Sequence, residues 1–167
     1  QPNHPFLQEL EIEHEGFSEE KVKLPERMLS TNKAYSWTDI QKWLERIAKS
    51  AEEINLSVDD IELKGTAKLD GFAGYDDGVK LYTRGDGSKG SDISRVFERG
   101  LGVYKDAKRG LGAGEIVVKR SYFEVHLSQH FEYPRNFQAS LIKEKELDQF
   151  AEKAIADKAA LFVPFKE

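Results

Sequence analysis

Lys68 is the residue whose type and setting most clearly suggest chemistry in this chain. It stands in the run Ala67-Lys68-Leu69-Asp70-Gly71, two residues before a carboxylate. A lysine that attacks a phosphoanhydride must be neutral, although a free lysine has a pKa of about 10.4 and is protonated at neutral pH. Burial, nearby cations or a divalent metal beside the phosphate favour the neutral amine, and Asp70 is the nearest oxygen donor for such a metal. The tetrapeptide alone is more typical of an ordinary hairpin entry, because Asp-Gly is a common turn sequence.

Three further polar motifs follow the lysine, each at the edge of a predicted element. They are Thr83-Arg84-Gly85-Asp86-Gly87, Gly114-Glu115-Ile116-Val117 and Tyr133-Pro134-Arg135-Asn136. The planar guanidinium of an arginine suits a phosphate, and a carboxylate such as that of Glu115 can accept hydrogen bonds from both hydroxyls of a ribose. Two simpler interpretations stay open. Asp86 and Lys89 also suit a solvated turn, and Glu115 also suits an edge charge that discourages strand aggregation.

These motifs need a scaffold, and the hydrophobic pattern predicts an α+β fold around an antiparallel sheet with flanking helices. Residues 1–35 are predicted to be an extended arm with one strand at 7–14, and residues 36–167 a single domain. Ser36 is expected to cap a helix that runs to about residue 54, with Trp37 and Trp43 as core anchors. Predicted strands cover 61–68, 72–75, 79–84, 115–119 and 160–165, and the turn Asp76-Asp77-Gly78 predicts a hairpin. Further helices are predicted after Asp92, from Ser121 to about 129, and over 144–157.

Composition narrows the class of protein. The chain has 167 residues, of which 39% are hydrophobic and 33% charged, so it suits one globular domain rather than a disordered or membrane protein. The absence of cysteine excludes a disulfide framework and suits a reducing cytoplasm. The net charge of −5 argues against a free-standing nucleic-acid clamp. His126 and His130 stand four residues apart, but without a zincin-type glutamate we expect no metal site there.

Taken in order, the motifs resemble the adenylation domain of NAD-dependent DNA ligases. That family carries a Met-Leu-Ser segment before the first helix, a Lys-x-Asp-Gly motif, a Thr-Arg-Gly-Asp-Gly strand end, a Gly-Glu strand and an Asn-Pro-Arg-Asn loop. This chain has a counterpart of each, in the same order, between about residues 4 and 165. The resemblance implies the N-terminal part of a nucleotidyltransferase fold of the ATP-grasp-like kind. It also implies a cytoplasmic enzyme of DNA replication and repair.

The resemblance implies a reaction and two catalytic residues. Lys68 resembles the lysine that accepts AMP, and Asp70 is the acid of the same motif. NAD is the implied AMP donor, Mg²⁺ the implied metal, and a 5′-phosphorylated nick in double-stranded DNA the implied acceptor.

The resemblance also implies five nucleotide-binding residues. The strip of Leu29 and Ser30 resembles the segment beside the nucleotide, and Arg84 and Glu115 resemble the groups that bind AMP, Glu115 through the ribose hydroxyls. Arg135 resembles a contact to the nick phosphate or the nucleotide.

Several departures from the family pattern keep other functions open. Thr66 stands where the family has a glutamate that reads adenine, and Ala113 stands where it has an arginine. The family also has an arginine after a Ser-Leu pair, whereas here the pair is followed by Ile142 and then Lys143. The later motifs and the DNA-encircling domains are not in this chain, so further ligase domains or a second subunit are expected partners. One alternative is a nucleotide- or DNA-end-binding module without independent catalysis. Another is an RNA-ligase-type nucleotidyltransferase.

Overall fold

The computed structural model describes residues 21–29, 32–143 and 146–166. The chain divides into two compact units, one formed by residues 1–29 and 69–167 and the other by residues 30–68. We call them the sheet unit and the helical unit. The predicted strand at 7–14 lies outside the described residues.

A five-stranded sheet forms the body of the sheet unit. Its strands are β2 (Phe72–Asp76), β3 (Leu81–Thr83), β5 (Gly102–Val103), β6 (Gly112–Val118) and β7 (Ala160–Pro164), in the order β3-β2-β6-β7-β5. All neighbours are antiparallel except β5 and β7, which are parallel. The predicted antiparallel sheet is found across β3, β2, β6 and β7, and the short edge strand β5 adds one parallel pair. A separate pair joins β1 (Val22–Lys23) to β4 (Lys89–Gly90).

Helices cover one face of the sheet and close the main hydrophobic core. They are α2 (Arg95–Glu98), α3 (Arg120–Tyr122) continued by a π-helical turn (Phe123–Leu127), α4 (Pro134–Leu141) and α5 (Gln149–Ala156). Phe137 of α4, Ile116 of β6 and Phe162 of β7 are fully or almost fully buried in this core. Gly114 lets β6 approach β7 here, because a Cβ on Gly114 would lie 2.5 Å from the ring of Phe162.

The β2–β3 hairpin confirms the predicted turn. Asp77 accepts hydrogen bonds from the backbone N–H groups of Val79 and Lys80 at 2.8 and 2.6 Å, and Gly78 takes the positive φ of +96°. Asp76, in contrast, is buried and forms a bidentate ion pair with Arg109, whose guanidinium also stacks 3.7 Å above the ring of Phe97.

The helical unit consists of α1 (Trp37–Glu53) and a 3-10 turn (Val58–Asp60). Ser36 caps α1 as predicted, and its side chain and that of Asp39 form a reciprocal capping box. Trp37 is 70% exposed and Trp43 is 39% exposed, so their predicted role as core anchors is wrong. Both have helical spacing, but within residues 32–68 the only buried residue is Ala51.

The predicted strand at 61–68 is not formed. Residues 61–70 carry no strand and pair with no strand of the described chain, and Leu63 is 56% exposed. Only Ile61 and Leu63 alternate in this run, which gives too little apolar surface to hold it against a sheet.

Four helix assignments also change. Helix α4 begins at Pro134, where no helix was predicted, and proline suits the first turn of a helix. The helix predicted over 144–157 is α5, capped by Asp148, which accepts from two backbone N–H groups. The turn of α3 begins one residue before Ser121, so Ser121 is not its cap. Asp92 does not cap α2 either; it accepts from the N–H and hydroxyl of Ser94.

Candidate functional site

Arg84 and Glu115 lie on the same face of the sheet, on either side of β2. Glu115 pairs in register with Ala73, and the N–H of Arg84 donates to the carbonyl of Ala73 at 3.3 Å. The neighbours of these two residues, Thr83 and Ile116, are fully buried toward the core. Because side chains alternate along a strand, Arg84 and Glu115 point to the opposite face. The backbones of Arg84 and Glu115 are thus two strand spacings apart, roughly 10 Å, with the small residue Ala73 between them.

Gly71 brings the Lys-x-Asp-Gly motif directly against this face. A Cβ on Gly71 would lie 2.5 Å from Cγ of Glu115 and would also collide with the carbonyl oxygen of Ile116. Such contacts exclude any side chain at this position. The glycine therefore serves a close approach to β6, not the hairpin turn that the tetrapeptide alone suggested, which lies instead at Asp77 and Gly78.

Asp70 belongs to the sheet unit and is held by its backbone. Its carbonyl accepts a hydrogen bond of 3.0 Å from the side-chain amide of Gln138, and its own side chain is exposed. Lys68 is exposed and is the last residue of the helical unit. The structure thus groups Asp70 with Arg84 and Glu115 in one unit, and Lys68 precedes that unit by one residue.

The loop after Arg84 is pinned to the segment that ends at Leu29. The N–H of Met28 donates to the carbonyl of Gly87 at 2.9 Å, and a Cβ on Gly87, whose φ is +87°, would lie 2.6 Å from the carbonyl of Met28. Leu29, the next residue, is 72% exposed. The Leu29 strip therefore runs beside the Arg84 loop, whereas Ser30 lies outside the described residues.

Asp86 has a structural task within this loop. Its carboxylate accepts from the N–H groups of Lys89 and Ser88, both at 2.8 Å. The hydrogen bond from Lys89, followed by that from Ser88, lowers the pKa of Asp86 below its ordinary value. Of the two interpretations of Asp86, the turn is the one its geometry supports.

Arg135 lies in the first turn of α4 and is exposed. Phe137 and Leu141 of the same helix enter the main core with Ile116, so α4 packs on the sheet face opposite Arg84 and Glu115. The structure does not bring Arg135 onto their face. It does link α4 to the lysine motif, through the bond from Gln138 to Asp70.

Two tyrosines border the Arg84–Glu115 face. Tyr75 and Tyr82 are opposite each other on β2 and β3 and form a second, smaller cluster with Leu24 and Met28. Burial raises the pKa of both phenols above the ordinary value, so both are neutral at physiological pH. Ala113 packs against the same cluster.

Ile142 and Lys143 differ sharply in their surroundings. Ile142 is fully buried in the core, and its carbonyl accepts from the guanidinium of Arg95, whereas Lys143 is exposed. Of the two, only Lys143 presents a cation to solvent.

Gln138 is the residue of this region that the sequence analysis missed. It is the one amide on the buried face of α4, between the core residues Phe137 and Leu141. A polar side chain on an apolar helical face is a usable signal, but it is visible only once α4 is recognised as a helix. The glycines at 71 and 87 were noted as turn residues without their close contacts.

Among the described residues, no group of three or more His, Cys, Asp or Glu side chains is arranged to hold a metal. Mg²⁺ normally keeps several waters and takes only one or two protein carboxylates together with substrate phosphates. The exposed side chain of Asp70, within the Lys-x-Asp-Gly motif, fits that kind of binding. Within the same residues, no helix is both long and apolar enough to cross a membrane.

Comparison with known proteins decides the family. The family described as NAD-dependent DNA ligase adenylation domain matches residues 17–155. The chain belongs to the NAD-dependent DNA ligase adenylation-domain family. The fold class and the family predicted from the motifs are thereby confirmed.

Relatives of the adenylation-domain family match over almost the whole chain. The DNA ligase of Ruthia magnifica subsp. Calyptogena magnifica is 65% identical over 98% of the chain, and that of Vesicomyosocius okutanii subsp. Calyptogena okutanii is 66% identical over 99%. The DNA ligase of Shewanella baltica is 54% identical over 98%. The chain spans about a quarter of these relatives, since the matches cover 27%, 26% and 25% of their lengths.

Proposed function

We propose that this chain is the part of an NAD-dependent DNA ligase that takes AMP onto Lys68. The neutral amine of Lys68 attacks the α-phosphorus of NAD, so that a P–N bond forms and the P–O bond to nicotinamide mononucleotide breaks. That group leaves with the electron pair, and the amine loses a proton. An oxygen of the 5′-phosphate at a nick in double-stranded DNA then attacks the phosphorus of the adduct, so that a P–O–P bond forms and the P–N bond to Lys68 breaks. The 3′-hydroxyl of the nick attacks the activated 5′-phosphate, AMP leaves, and the nick is closed.

The sheet face supplies the proposed binding groups. The guanidinium of Arg84 attracts the phosphate of the adenylate, and the carboxylate of Glu115 accepts from the ribose hydroxyls. Leu29 and Ser30 line the nucleotide, and Arg135 contacts the nick phosphate or the nucleotide. A bound Mg²⁺ would neutralise charge on the phosphates, and Asp70 is the carboxylate of the motif suited to reach it through water.

One observation carries this proposal: Arg84 and Glu115 share one sheet face, and Gly71 of the lysine motif is packed against Glu115. Three motifs that are far apart in the sequence thus meet in one unit. The family membership supports the same function. Nicked DNA as substrate, the remaining ligase domains as partners, and cytoplasmic work in replication and repair are proposals of the same kind.

The test uses the full-length protein that carries this chain, with NAD and Mg²⁺. We expect intact-mass spectra to show one AMP adduct with NAD, which disappears when a 5′-phosphorylated nicked DNA duplex is added and sealed. Glu115→Gln should weaken the use of NAD about tenfold or more, because a neutral amide is a poorer acceptor for two hydroxyls. Lys89→Gln, in the adjacent loop, is the matched control and should leave adduct formation unchanged.

Two further measurements on the same full-length protein separate the alternatives. Nucleotide binding by calorimetry with no adduct indicates a binding module without catalysis, the function that Thr66 and Ala113 keep open. Sealing of nicked RNA duplexes in preference to nicked DNA indicates an RNA-ligase-type enzyme. If the protein shows neither nucleotide binding nor an adduct, the proposal is excluded.

A further inference from the structure

Gln138 is fully buried, and its side-chain amide donates a hydrogen bond to the backbone of the lysine motif. Its Nε2 lies 3.0 Å from the carbonyl oxygen of Asp70, across 68 positions of sequence. A carbonyl oxygen can only accept, so the nitrogen end of the amide must face Asp70. The orientation of the side chain is therefore set by chemistry.

The other end of the amide makes Gln138 a poor choice for packing alone. Its Oε1 is buried and has no hydrogen-bond partner in the described part of the chain. An unpaired buried acceptor destabilises a fold, and a methionine of similar volume would avoid that penalty. A buried polar group that costs stability points to a gain elsewhere, and within the described residues this amide has one hydrogen-bond partner, the carbonyl of Asp70.

We infer that Gln138 is a positioning residue for the transfer of AMP to Lys68, an inference that rests on the function proposed above. The amide fixes the carbonyl of Asp70, and Gly71 is fixed next to it by its contacts with β6. Lys68 is joined to this anchored pair by a single residue, so its Cα lies within roughly 7 Å of that of Asp70. The hydrogen bond from Gln138 thus fixes the backbone of Asp70, which is two residues from the nucleophile Lys68.

Small errors at such a point have large effects on rate. A displacement of about 1 Å between reacting groups can slow a reaction on the order of 100-fold, while ground-state binding changes little. Gln138 lies on the same helix as Arg135, three residues further along. The anchor of the lysine motif and the proposed phosphate contact are therefore carried by one rigid element.

The first variant is Gln138→Met in the full-length protein, measured by single-turnover formation of the Lys68–AMP adduct from NAD. We expect the rate constant to fall about 10- to 100-fold, with the apparent KM for NAD changed less than about threefold. The melting temperature should stay within a few degrees of the wild-type value or rise, because the unpaired Oε1 is removed.

Ser140→Ala is the matched control. Ser140 is buried on the same helix, and its hydroxyl donates only to the carbonyl of Phe137, at 2.7 Å. This variant also loses a buried hydrogen bond, but one that does not touch the lysine motif. Its adenylation rate should equal that of the wild-type protein.

Gln138→Glu provides a readout that packing does not affect. Burial should raise the pKa of the new carboxyl, whose protonated form can donate to the Asp70 carbonyl and whose ionised form cannot. The ratio of variant to wild-type rate should therefore rise as the pH falls. This ratio also decides the matter if Gln138→Met does not fold.

A wild-type rate in Gln138→Met, equal slowing in Ser140→Ala, or a pH-independent ratio in Gln138→Glu would each overturn the positioning role while the adduct on the wild-type protein still forms. If the wild-type protein forms no adduct, the proposed function fails, and the positioning role fails with it. The two failures are therefore distinguishable.

Discussion

The sheet unit and the helical unit bury very different amounts of apolar surface. The main core of the sheet unit draws on strands β3, β6 and β7 and on helices α2, α4 and α5, and includes fully buried aromatic residues such as Phe137. Within residues 32–68 only Ala51 is buried, and Trp37, Ile54 and Val58 are more than half exposed. Segments with few buried contacts open at low free energy.

The difference separates the proposed tasks of the site residues. Arg84 and Glu115, the proposed binding groups, stand on the rigid sheet, while Lys68 ends the lightly buried unit. A binding face gains from rigidity because less ordering is needed when a ligand binds. The nucleophile, in contrast, depends on how the chain enters the sheet at Asp70 and Gly71.

The largest loss of stability is expected from a variant that opens a cavity in the core of the sheet unit. Phe162→Ala should destabilise this unit by about 3–5 kcal/mol, because it removes a buried ring that packs on Gly114 and meets Phe97 edge-on. Leu44→Ala in α1, where the side chain is 40% exposed, should change stability by less than about 1 kcal/mol. Urea unfolding of both variants checks this, and equal losses would refute the contrast in burial.

The next effect concerns charge rather than apolar packing. Arg109→Met leaves the almost fully buried carboxylate of Asp76 without its guanidinium and should cost about 3 kcal/mol. Lys153→Met breaks an exposed pair with Asp157 and should cost less than about 1 kcal/mol. Thermal unfolding at low and high salt is the measurement. A similar loss in both variants would mean that burial of Asp76 does not matter.

A smaller effect is expected at the cap of the helical unit. Ser36→Ala removes the acceptor for the N–H of Asp39 and one half of the capping box, which should weaken α1 by about 1 kcal/mol. Ser50→Ala, at an exposed position in the last turn of α1, should leave the helix unchanged or slightly more stable. Amide exchange over residues 37–53 should be faster in the first variant only. Faster exchange in the sheet as well would show that the two units unfold together.

The smallest effect is a pH dependence at the β2–β3 hairpin. The carboxylate of Asp77 accepts backbone hydrogen bonds from Lys80 and Val79, and these bonds, that from Lys80 first, lower its pKa below the ordinary value. A carboxyl with a lowered pKa stabilises the fold above its ordinary pKa of about 3.8, and this contribution is lost as the pH falls through the folded value. Asp77→Asn keeps an acceptor but cannot titrate, so it should lose less stability than the wild-type protein below about pH 4. Parallel acid-unfolding curves would contradict this.

The sequence predicted what depends on neighbouring residues and missed what depends on distant ones. The cap at Ser36 and the turn at Asp77 and Gly78 follow from local hydrogen bonds, and both were predicted. The extended run at 61–68 was predicted as a strand because its composition suits one, but no described strand pairs with it. Helix α4 was missed because its apolar face is short and contains Gln138.

The candidate site was predictable in composition but not in arrangement. Arg84, Glu115 and Asp70 were chosen from their motifs, and the register of β2, β3 and β6 brings them into one unit. Gly71 and Glu115, which pack together, are 44 positions apart in the sequence. Gln138 and Asp70, which are joined by a hydrogen bond, are 68 positions apart. Contacts of that range leave no local pattern, so only the fold reveals them.

The most direct test of the central claim is to locate the AMP. The full-length protein, incubated with NAD and Mg²⁺, is digested and its peptides are fragmented in a mass spectrometer under conditions that preserve P–N bonds. The account predicts AMP on Lys68 and none on Lys64, and no adduct in Lys68→Arg, whose guanidinium stays protonated. AMP on any other lysine, or an adduct that persists in Lys68→Arg, would contradict it.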